Sequence, residues 1–211
     1  MNWIKRFLQF FFHHLYHGLA FTYDLVAATV SFGQWTRWIR EVTPFIGGTR
    51  VLELGHGPGH LQRFLLDLGL DSAGLDESTQ MGRLAKRRLR GARLPVRLTR
   101  GVAQHLPFAT ATFDSVVSTF PSDYIFDERT LAEAYRVLKP QGRFIVLPAG
   151  WPKHPLLGWL YRVTGEVPAE AREIVKQKWT QPFVRAGFET DARLIEVKSG
   201  TLLIILGIKT P

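Results

Sequence analysis

The sequence contains no cysteine among its 211 residues. Disulfide bonds, thiolate metal sites and a cysteine nucleophile are therefore excluded. Internal repeats and low-complexity tracts are also absent. Hydrophobic residues make up 45% of the chain, an ordinary value for a globular protein. A chain of this length and composition is predicted to form one domain with a full core.

The sequence also lacks a long uninterrupted hydrophobic run. Residues 7–23 carry no formal charge, but polar residues interrupt them, namely Gln9, His13, His14, His17 and Thr22. The stretch is too short and too polar for a transmembrane helix, and its histidines are atypical of a signal-peptide core. Apolar residues at helical spacing instead predict a helix with one apolar stripe, formed by Leu8, Phe11, Phe12, Leu15 and Leu19.

Acidic residues are few relative to basic ones, 18 against 27, which gives a formal charge of +9. Such a balance requires nucleic acid to be considered as a partner. A solvated basic face and a phosphate-binding patch both fit the segment where the charge is concentrated, and we favour the solvated face. We therefore do not expect nucleic acid as a partner. The segment spans 18 residues without an acid and contains Arg83, Lys86, Arg87, Arg88, Arg90, Arg93, Arg97 and Arg100.

Three glycines at alternate positions form the feature with the most chemical content. A short apolar strand, Arg50–Leu54, precedes them, and a helix from about residue 60 to residue 68 follows. Glycines let the backbone approach a ligand closely, and the first amides of the helix favour a carboxylate or phosphate. Glu53, two positions before the first glycine, can hold a cationic amine. A site for a ligand with an amino-acid end is therefore predicted at Gly55, Gly57 and Gly59.

The spacing of these glycines distinguishes two kinds of nucleotide site. The dinucleotide fingerprint G-x-G-x-x-G, counted from Gly55, requires glycine where the chain has His60. The pattern present is E-x-G-x-G-x-G. A second predicted strand, Ser72–Leu75, leads to Asp76, which follows Gly55 by 21 residues, the distance expected for an acid that binds ribose hydroxyls. Asp76 is also a candidate cap for the helix that begins near Thr79.

The E-x-G-x-G-x-G pattern resembles motif I of the class I S-adenosylmethionine (SAM)-dependent methyltransferases. Four further segments resemble motifs of that family in the same order, at residues 76–81 (D-E-S-T-Q-M), 101–108 (G-V-A-Q-H-L-P-F), 113–118 (F-D-S-V-V-S) and 136–146 (R-V-L-K-P-Q-G-R-F-I-V). The resemblance extends from about Tyr23 to the C-terminus. Residues 23–35 resemble the start of quinone-biosynthesis C-methyltransferases, which indicates the small-molecule branch of the family.

The resemblance implies an α/β fold, a Rossmann-like three-layer sandwich whose seven-stranded sheet has the order 3-2-1-4-5-7-6 with strand 7 antiparallel. Helical patterns between the first five predicted strands agree with parallel pairing, and Ser199-Gly200 predicts a hairpin between the last two. We expect a helical cover at residues 1–45 and the SAM-binding methyltransferase domain at residues 46–211. The predicted strands are Arg50–Leu54, Ser72–Leu75, Val96–Thr99, Ser115–Thr119, Arg143–Leu147, Glu189–Lys198 and Thr201–Ile208.

The resemblance also implies the cofactor, SAM, with S-adenosyl-L-homocysteine as its product. Val102 departs from the family pattern, which has an acid there that accepts a hydrogen bond from the adenine amino group. Valine cannot accept one, but the backbone amide of Ala103 can still reach the ring. The residues carried over to cofactor binding are Tyr23, Glu53, Gly55, His56, Gly57, Gly59, Asp76, Glu77, Met81, Val102, Ala103, Thr119 and Phe120.

Methyl transfer in this family is a direct in-line displacement, for which the protein mainly positions the two reactants. The lack of cysteine excludes the usual methylation of pyrimidine carbon 5. The segment 119–122 (T-F-P-S) also lacks the Asn/Asp-Pro-Pro-aromatic pattern of enzymes that methylate base amines. The resemblance of residues 23–35 to quinone-biosynthesis C-methyltransferases favours a small apolar or aromatic, lipid-like acceptor. An aromatic lid after the fifth strand agrees with it and contains Trp151, His154, Trp159 and Tyr161.

Three residues are candidates to position the acceptor or to take its proton: Asp123, Tyr124 and His105. His56 and His60, which flank the glycines, are further candidates for a base, although a polar lining of the cofactor pocket suits them better.

Several alternatives stay open at this point. One alternative is an RNA methyltransferase, which only the positive charge supports. Another is a non-catalytic protein with the SAM-binding fold, which only the departure at Val102 supports. The apolar stripe behind Lys5 and Arg6 fits either packing against protein or peripheral contact of residues 1–20 with a membrane. The predicted location is the cytoplasm, and the oligomeric state is open. His13 and His17 have the spacing of a metal pair, but no third ligand is evident, so no metal is predicted.

Overall fold

The computed structural model describes residues 34–153 and 179–210. Cα proximity divides the chain into two compact units, Met1–Trp35 and Thr36–Pro211, and the description below concerns the second. This division falls earlier in the chain than the domain boundary expected after residue 45. No helix within the described residues is long and apolar enough to cross a membrane. Several predicted features lie outside the described residues: the stripe in residues 1–20, His13, His17, Tyr23, His154, Trp159 and Tyr161.

Seven strands form one sheet in the order β3-β2-β1-β4-β5-β7-β6. Neighbours among β1 to β5 pair in parallel, whereas β7 runs antiparallel to both β5 and β6. The predicted fold, strand order and single antiparallel strand are confirmed. The strands are β1 Arg50–Leu54, β2 Asp71–Asp76, β3 Leu98–Arg100, β4 Phe113–Thr119, β5 Leu138–Pro152, β6 Phe188–Val197 and β7 Gly200–Lys209.

Helices connect the parallel strands. Right-handed crossovers place α2 and α3 on one face of the sheet and α4 on the other, because the strand order reverses at β1. Residues 179–185 are helical and precede β6. The helices are α1 Trp35–Trp38, a 3₁₀ helix Ile39–Phe45, α2 His60–Asp67, α3 Thr79–Gly91, a 3₁₀ helix Asp123–Phe126 and α4 Glu128–Val137.

The central strands are buried on both faces, which explains their continuous apolar runs. Every residue of β7 from Gly200 to Leu206 is buried, and so is β5 from Phe144 to Leu147. On the α4 face, aromatic rings fill the space between the sheet and the helices. Phe183 lies with its ring centroid 5.4 Å from that of Phe144 and 6.3 Å from that of Phe188. This core fixes the sheet whose strand ends carry the site.

Only the first strand has its predicted bounds, and the ends of β2, β4, β6 and β7 differ from their predictions by one or two residues. The third and fifth strands show the physical reason for such differences. The third strand was expected at Val96–Thr99, but β3 covers only Leu98–Arg100, because its pairing with β2 begins at Leu98. The fifth was expected at Arg143–Leu147, but β5 runs to Pro152. Its extension pairs with β7 as far as Gly200, across a register shift between Val146 and Ala149. Long-range pairing, which local sequence does not reveal, sets both lengths.

Trp38 connects the start of the described chain to this extension. It is buried, and its indole Nε1 donates to Ser199 Oγ over 2.8 Å. Two glycines make room for the ring: a Cβ added at Gly150 would lie 2.9 Å from Trp38 Cε3, and one at Gly200 would lie 3.0 Å from Trp38 Cζ2. Trp38 is thus part of the same core as β5 and β7.

Candidate functional site

The loops that follow β1, β2 and β4 meet at the carboxyl ends of the strands. Because β1 lies between β2 and β4, the strand order reverses there, and open α/β sheets bind ligands at such a point. The backbone N–H of Gly55, at the start of the loop after β1, donates to the Leu75 carbonyl over 2.8 Å. The glycine loop is therefore attached to the end of β2.

All three glycines of this loop have positive φ, but their surroundings differ. A Cβ at Gly55 (φ +69°) would lie 2.5 Å from Tyr124 Oη, and one at Gly59 (φ +79°) would lie 2.8 Å from Ala85 Cβ. A Cβ at Gly57 (φ +51°) would have no atom within 4 Å. Ligand approach at all three glycines stays a prediction, and packing gives Gly55 and Gly59 a second reason to be glycine. Packing within the protein requires Gly55 and Gly59, and only Gly57 faces open space.

Asp76, at the end of β2, joins the two loops. One carboxylate oxygen accepts from the N–H of Gly57 over 2.8 Å, and the other accepts from the N–H of Ser78 over 2.8 Å. Ser78 is the cap of α3, since its hydroxyl accepts from the N–H of Met81 over 3.3 Å. The alternative of Asp76 as that cap is wrong. Each carboxylate oxygen keeps a lone pair, so Asp76 can still accept from two hydroxyl groups.

Glu53 lies buried beneath the glycine loop, with 2% of its surface exposed. Among the described residues its Oε2 has no hydrogen-bond partner. Burial raises the pKa of the Glu53 carboxyl to about 8, hydrogen bonds from Gln62 oppose the rise, and the charge of Asp76 adds to it. A buried carboxyl with one unused oxygen is a strong acceptor for a cation or an N–H donor.

Sequence reasoning missed two residues that position Glu53. Gln62 Nε2 donates to the Ala73 carbonyl over 3.0 Å, and its Oε1 accepts from Ser72 Oγ over 3.2 Å. Both Gln62 and Ser72 are buried. The sequence did contain a signal for Gln62, since it lies among the apolar residues on the sheet-facing side of a short amphipathic helix. A buried amide side chain normally has hydrogen-bond partners, so its position indicates a polar contact beneath the helix.

The raised pKa of Glu53 predicts a pH-dependent stability. In the unfolded chain the carboxyl titrates near 4.5, but in the folded chain near 8, so the folded state binds more protons between these values. The resulting stabilisation is complete below the lower pKa and is lost as pH rises through the upper one. We expect the Tm of the ligand-free protein to fall from about pH 5 to about pH 9 by several degrees more than that of Glu53→Gln, measured by calorimetry. Parallel pH profiles of the two proteins would contradict an ionisable Glu53.

His56 lies on the opposite side of the loop from open solvent. Its ring is buried, Nδ1 lies 2.7 Å from the Gly57 carbonyl oxygen, and a Cβ at Gly74 would lie 3.0 Å from its Cδ2. Burial lowers the pKa of His56, so the ring is neutral near pH 7. The contact with the Gly57 carbonyl stabilises the loop conformation there. The roles of His56 in the cofactor pocket or as a base stay predictions.

The loop of residues 101–108 follows β3 and carries three predicted residues. Ala103 is buried, Val102 is 43% exposed, and His105 has an exposed side chain. Two residues of α4 hold this loop: Glu133 Oε2 accepts from the Leu106 N–H over 2.7 Å, and Arg136 donates to the Leu106 and Phe108 carbonyls over 3.0 and 2.8 Å. The arginine of the R-V-L-K-P segment therefore positions the loop, a role that the motif alone did not reveal.

The end of β4 contains a strained residue. Phe120 has φ +49°, a left-handed conformation that costs energy for a residue other than glycine. Its N–H donates to the Leu147 carbonyl over 2.7 Å, and its ring centroid lies 6.4 Å from that of Trp38. Thr119 before it is buried. Strain maintained by such contacts is typical of functional sites.

Tyr124 is the one catalytic candidate that packs against the glycine loop. Its Oη lies 3.2 Å from the Leu54 carbonyl oxygen and 3.2 Å from Ser118 Oγ, which itself donates to Leu54 over 2.8 Å. Burial raises the pKa of the Tyr124 phenol well above its usual range, so the hydroxyl stays protonated and cannot take a proton. The Tyr124 hydroxyl therefore serves as a hydrogen-bond donor at the end of β1. The side chains of Asp123 and His105 are exposed.

The remaining predicted residues lie just before α3 and in its first turn. Glu77 is exposed, and its carbonyl accepts from Arg100 Nε over 3.1 Å; Met81 is buried in the first turn of the helix. Within residues 34–153 and 179–210, no group of three or more metal-ligating side chains is found.

The basic segment is not a uniform solvated face. Arg88 is half-buried and donates to the carbonyl of Pro58 inside the glycine loop. Arg97 pairs with Asp71, and Arg100 is held by Glu77. Arg88 therefore differs from a solvated surface residue, since its guanidinium contacts the loop directly.

Comparisons with known proteins agree with this geometry. Residues 52–146 match a family model described as a methyltransferase domain. The chain is 34% identical over 155 residues to demethylmenaquinone methyltransferase of Thermus thermophilus, covering 71% of this chain and 70% of that protein. It is 31% identical over 157 residues to the ubiquinone/menaquinone biosynthesis C-methyltransferase UbiE of Blochmanniella floridana, covering 70% of this chain and 62% of that protein.

A solved structure is similar over nearly the whole fold. It is a SAM-dependent methyltransferase of Thermotoga maritima, 23% identical, with a TM-score of 0.57 and 97% of each chain covered. At this identity the likeness concerns the fold.

Proposed function

Since this chain belongs to the class I SAM-dependent methyltransferases and is related to those of quinone biosynthesis, we propose that it transfers a methyl group to a carbon of a small, apolar, quinone-type ring. The acceptor class is supported by the names of the relatives and by the lack of the residues needed for pyrimidine or base-amine methylation. The cofactor of the family is SAM, and its product is S-adenosyl-L-homocysteine.

The residues at the strand ends fit this cofactor. The observation that carries the proposal is the buried Oε2 of Glu53, which has no hydrogen-bond partner among the described residues and belongs to the strand that leads into the glycine loop. The carboxylate would accept from the cofactor's ammonium group, and Asp76 from the two ribose hydroxyls. The amide of Ala103 would face the adenine, flanked by the side chain of Val102. Tyr23, Glu77, Met81, Thr119 and Phe120 remain predicted cofactor contacts.

When bound, the cofactor supplies a methyl group on a sulfonium that is already a strong electrophile. The protein therefore needs no nucleophile of its own, which agrees with the absence of cysteine. Its task is to align the acceptor carbon with the S–CH₃ bond. Tyr124 and the strained Phe120 border the point where β4 ends and would hold that alignment. The acceptor carbon gains the methyl group and loses a proton, for which Asp123 and His105 are the candidate acceptors.

The direct test uses methyl-labelled SAM and a short-chain demethylmenaquinone analogue in detergent micelles, with the analogue chemically reduced to its quinol so that the ring carbon is nucleophilic. We expect label to enter the quinone ring, with S-adenosyl-L-homocysteine formed in equal amount, as measured by mass spectrometry. Gly57→Ala is the matched control and should transfer less label at a limiting SAM concentration, because the added methyl would project into the open space at this position. Transfer to RNA but not to the quinone would replace the proposed acceptor. SAM binding without transfer to any acceptor would favour a protein that only binds SAM.

We also propose a cytoplasmic location with peripheral membrane contact, because an apolar quinone dissolves in the bilayer. Contact through residues 1–20 stays a prediction. The oligomeric state remains open.

A further inference from the structure

One exposed face of α3 carries positive charge that the described part of the protein does not balance. Its residues recur at the three- and four-residue spacing of a single helix face and continue just beyond the helix end. We call this surface the α3 basic face. It consists of Arg83, Lys86, Arg87, Arg90 and Arg93, all with exposed side chains.

The opposite side of α3 is fully occupied. Met81, Ala85 and Leu89 are buried against the rest of the domain, and Gly59 packs on Ala85. The helix is therefore fixed in orientation, with its basic side chains directed away from the core. A rigid array of charges retains more of its interaction with a charged surface than a mobile one, because less conformational entropy is lost on binding.

No acidic residue occurs between Ser78 and Phe113, and within the described residues no ion pair joins the α3 basic face to a carboxylate. Arg88, Arg97 and Arg100 differ from these five, since they contact Pro58, Asp71 and Glu77. The fold thus uses part of the basic segment for its own structure and leaves the remainder on the surface.

We propose that the α3 basic face docks this protein onto a bilayer that contains anionic phospholipid. The five charges extend along roughly 15 Å of chain, at 1.5 Å per helical residue, a length that spans several headgroups rather than one phosphate. The face has no aromatic side chain on which a nucleic-acid base could stack. Lysine and arginine near an anionic membrane each strengthen binding by about fivefold.

Docking through α3 would bring the membrane close to the candidate cofactor site. The helix begins three residues after Asp76, so its first turn adjoins the candidate cofactor site, and Arg83 lies only about 6 Å further along the helix axis. A membrane against this face would run along α3, from near the opening at the strand ends, where an apolar acceptor must enter, toward the opposite end of the sheet, where Arg93 lies. That consequence rests on the proposed function, whereas the docking itself does not.

The test is flotation of the full-length protein with phosphatidylcholine vesicles, with and without phosphatidylglycerol. We expect binding only when phosphatidylglycerol is present, and weaker binding as salt rises. The variant K86Q/R87Q/R90Q should lose on the order of a hundredfold in vesicle affinity. The control R129Q/R185Q/K198Q removes the same charge from exposed positions on α4, on helical residues 179–185 and before β7, and should keep affinity within a few-fold of the unaltered protein.

Three outcomes would overturn the proposal: no binding of the unaltered protein to phosphatidylglycerol vesicles, equal losses in both triple variants, or undiminished binding of the α3 variant. Tighter binding to RNA than to these vesicles at physiological salt, lost in the α3 variant, would instead assign the face to nucleic acid. Methyl transfer to the short-chain quinone without vesicles should be equal in all three proteins. If that transfer is absent throughout, the proposed function fails, while the vesicle results still decide the docking.

Discussion

Replacing Gly57 by alanine is expected to lower the affinity for S-adenosyl-L-homocysteine by about 10- to 100-fold, the equivalent of the roughly 1–3 kcal/mol that overpacking costs. The added methyl has no protein atom within 4 Å, so it would project into the space that the ligand requires. Titration calorimetry measures the loss.

Gly69→Ala is the matched control for backbone strain. Gly69 has φ +79°, compared with +51° at Gly57, and its added Cβ would likewise have no atom within 4 Å. Both variants should lose about 1–2 kcal/mol of stability in urea titrations, the cost of a left-handed non-glycine residue. Only Gly57→Ala should lose affinity. Equal affinity in the two variants would show that the space at Gly57 is not where the ligand binds.

Gly59→Ala provides a contrast within the same motif. Its Cβ would lie 2.8 Å from Ala85 Cβ and 3.0 Å from the Ala85 backbone, so α2 and α3 would have to separate. Two glycines of one motif are thus required for different reasons, and the regular spacing in the sequence does not distinguish them.

Much of the fold could be predicted because its determinants are local. Strand β1, the glycine loop and α2 form one continuous segment, and each of the five motifs lies within about a dozen residues. The motifs occur in the same order as in the family, and the family fold has a known strand order. The resemblance therefore implies which distant strands pair. Strand lengths were less predictable, since β5 extends to Pro152 only through pairing with β7.

The supporting contacts of the site were not predictable from motif spacing, because they join residues far apart in sequence. Tyr124 contacts Leu54, Arg136 holds the loop at Leu106, and Arg88 reaches Pro58. Each contact depends on how helices pack on the sheet rather than on a local pattern. The basic segment is an example. The sequence shows eight positive residues there, but only the packing of α3 shows that Arg88 is half-buried whereas its basic neighbours on the helix are exposed.

Replacing Asp76 by alanine is expected to weaken SAM binding by about 10- to 150-fold, since a hydrogen bond to a charged group contributes roughly 1.5–3 kcal/mol. The carboxylate would accept from the ribose, and it also orders the N–H groups of Gly57 and Ser78. Stability should fall as well, by about 1–3 kcal/mol, because two backbone donors lose their acceptor. Calorimetry with SAM and urea titration measure the two effects separately.

Ser78→Ala is the control that separates ligand binding from helix capping. It removes the hydroxyl that accepts from the Met81 N–H and should cost about 1 kcal/mol of stability, the usual contribution of an N-cap. Its SAM affinity should stay close to that of the unaltered protein, because Asp76 and the loop at Gly57 remain in place. If Ser78→Ala instead weakened SAM binding as much as Asp76→Ala, the carboxylate would act only through the start of α3, and its assignment to the ribose would be wrong.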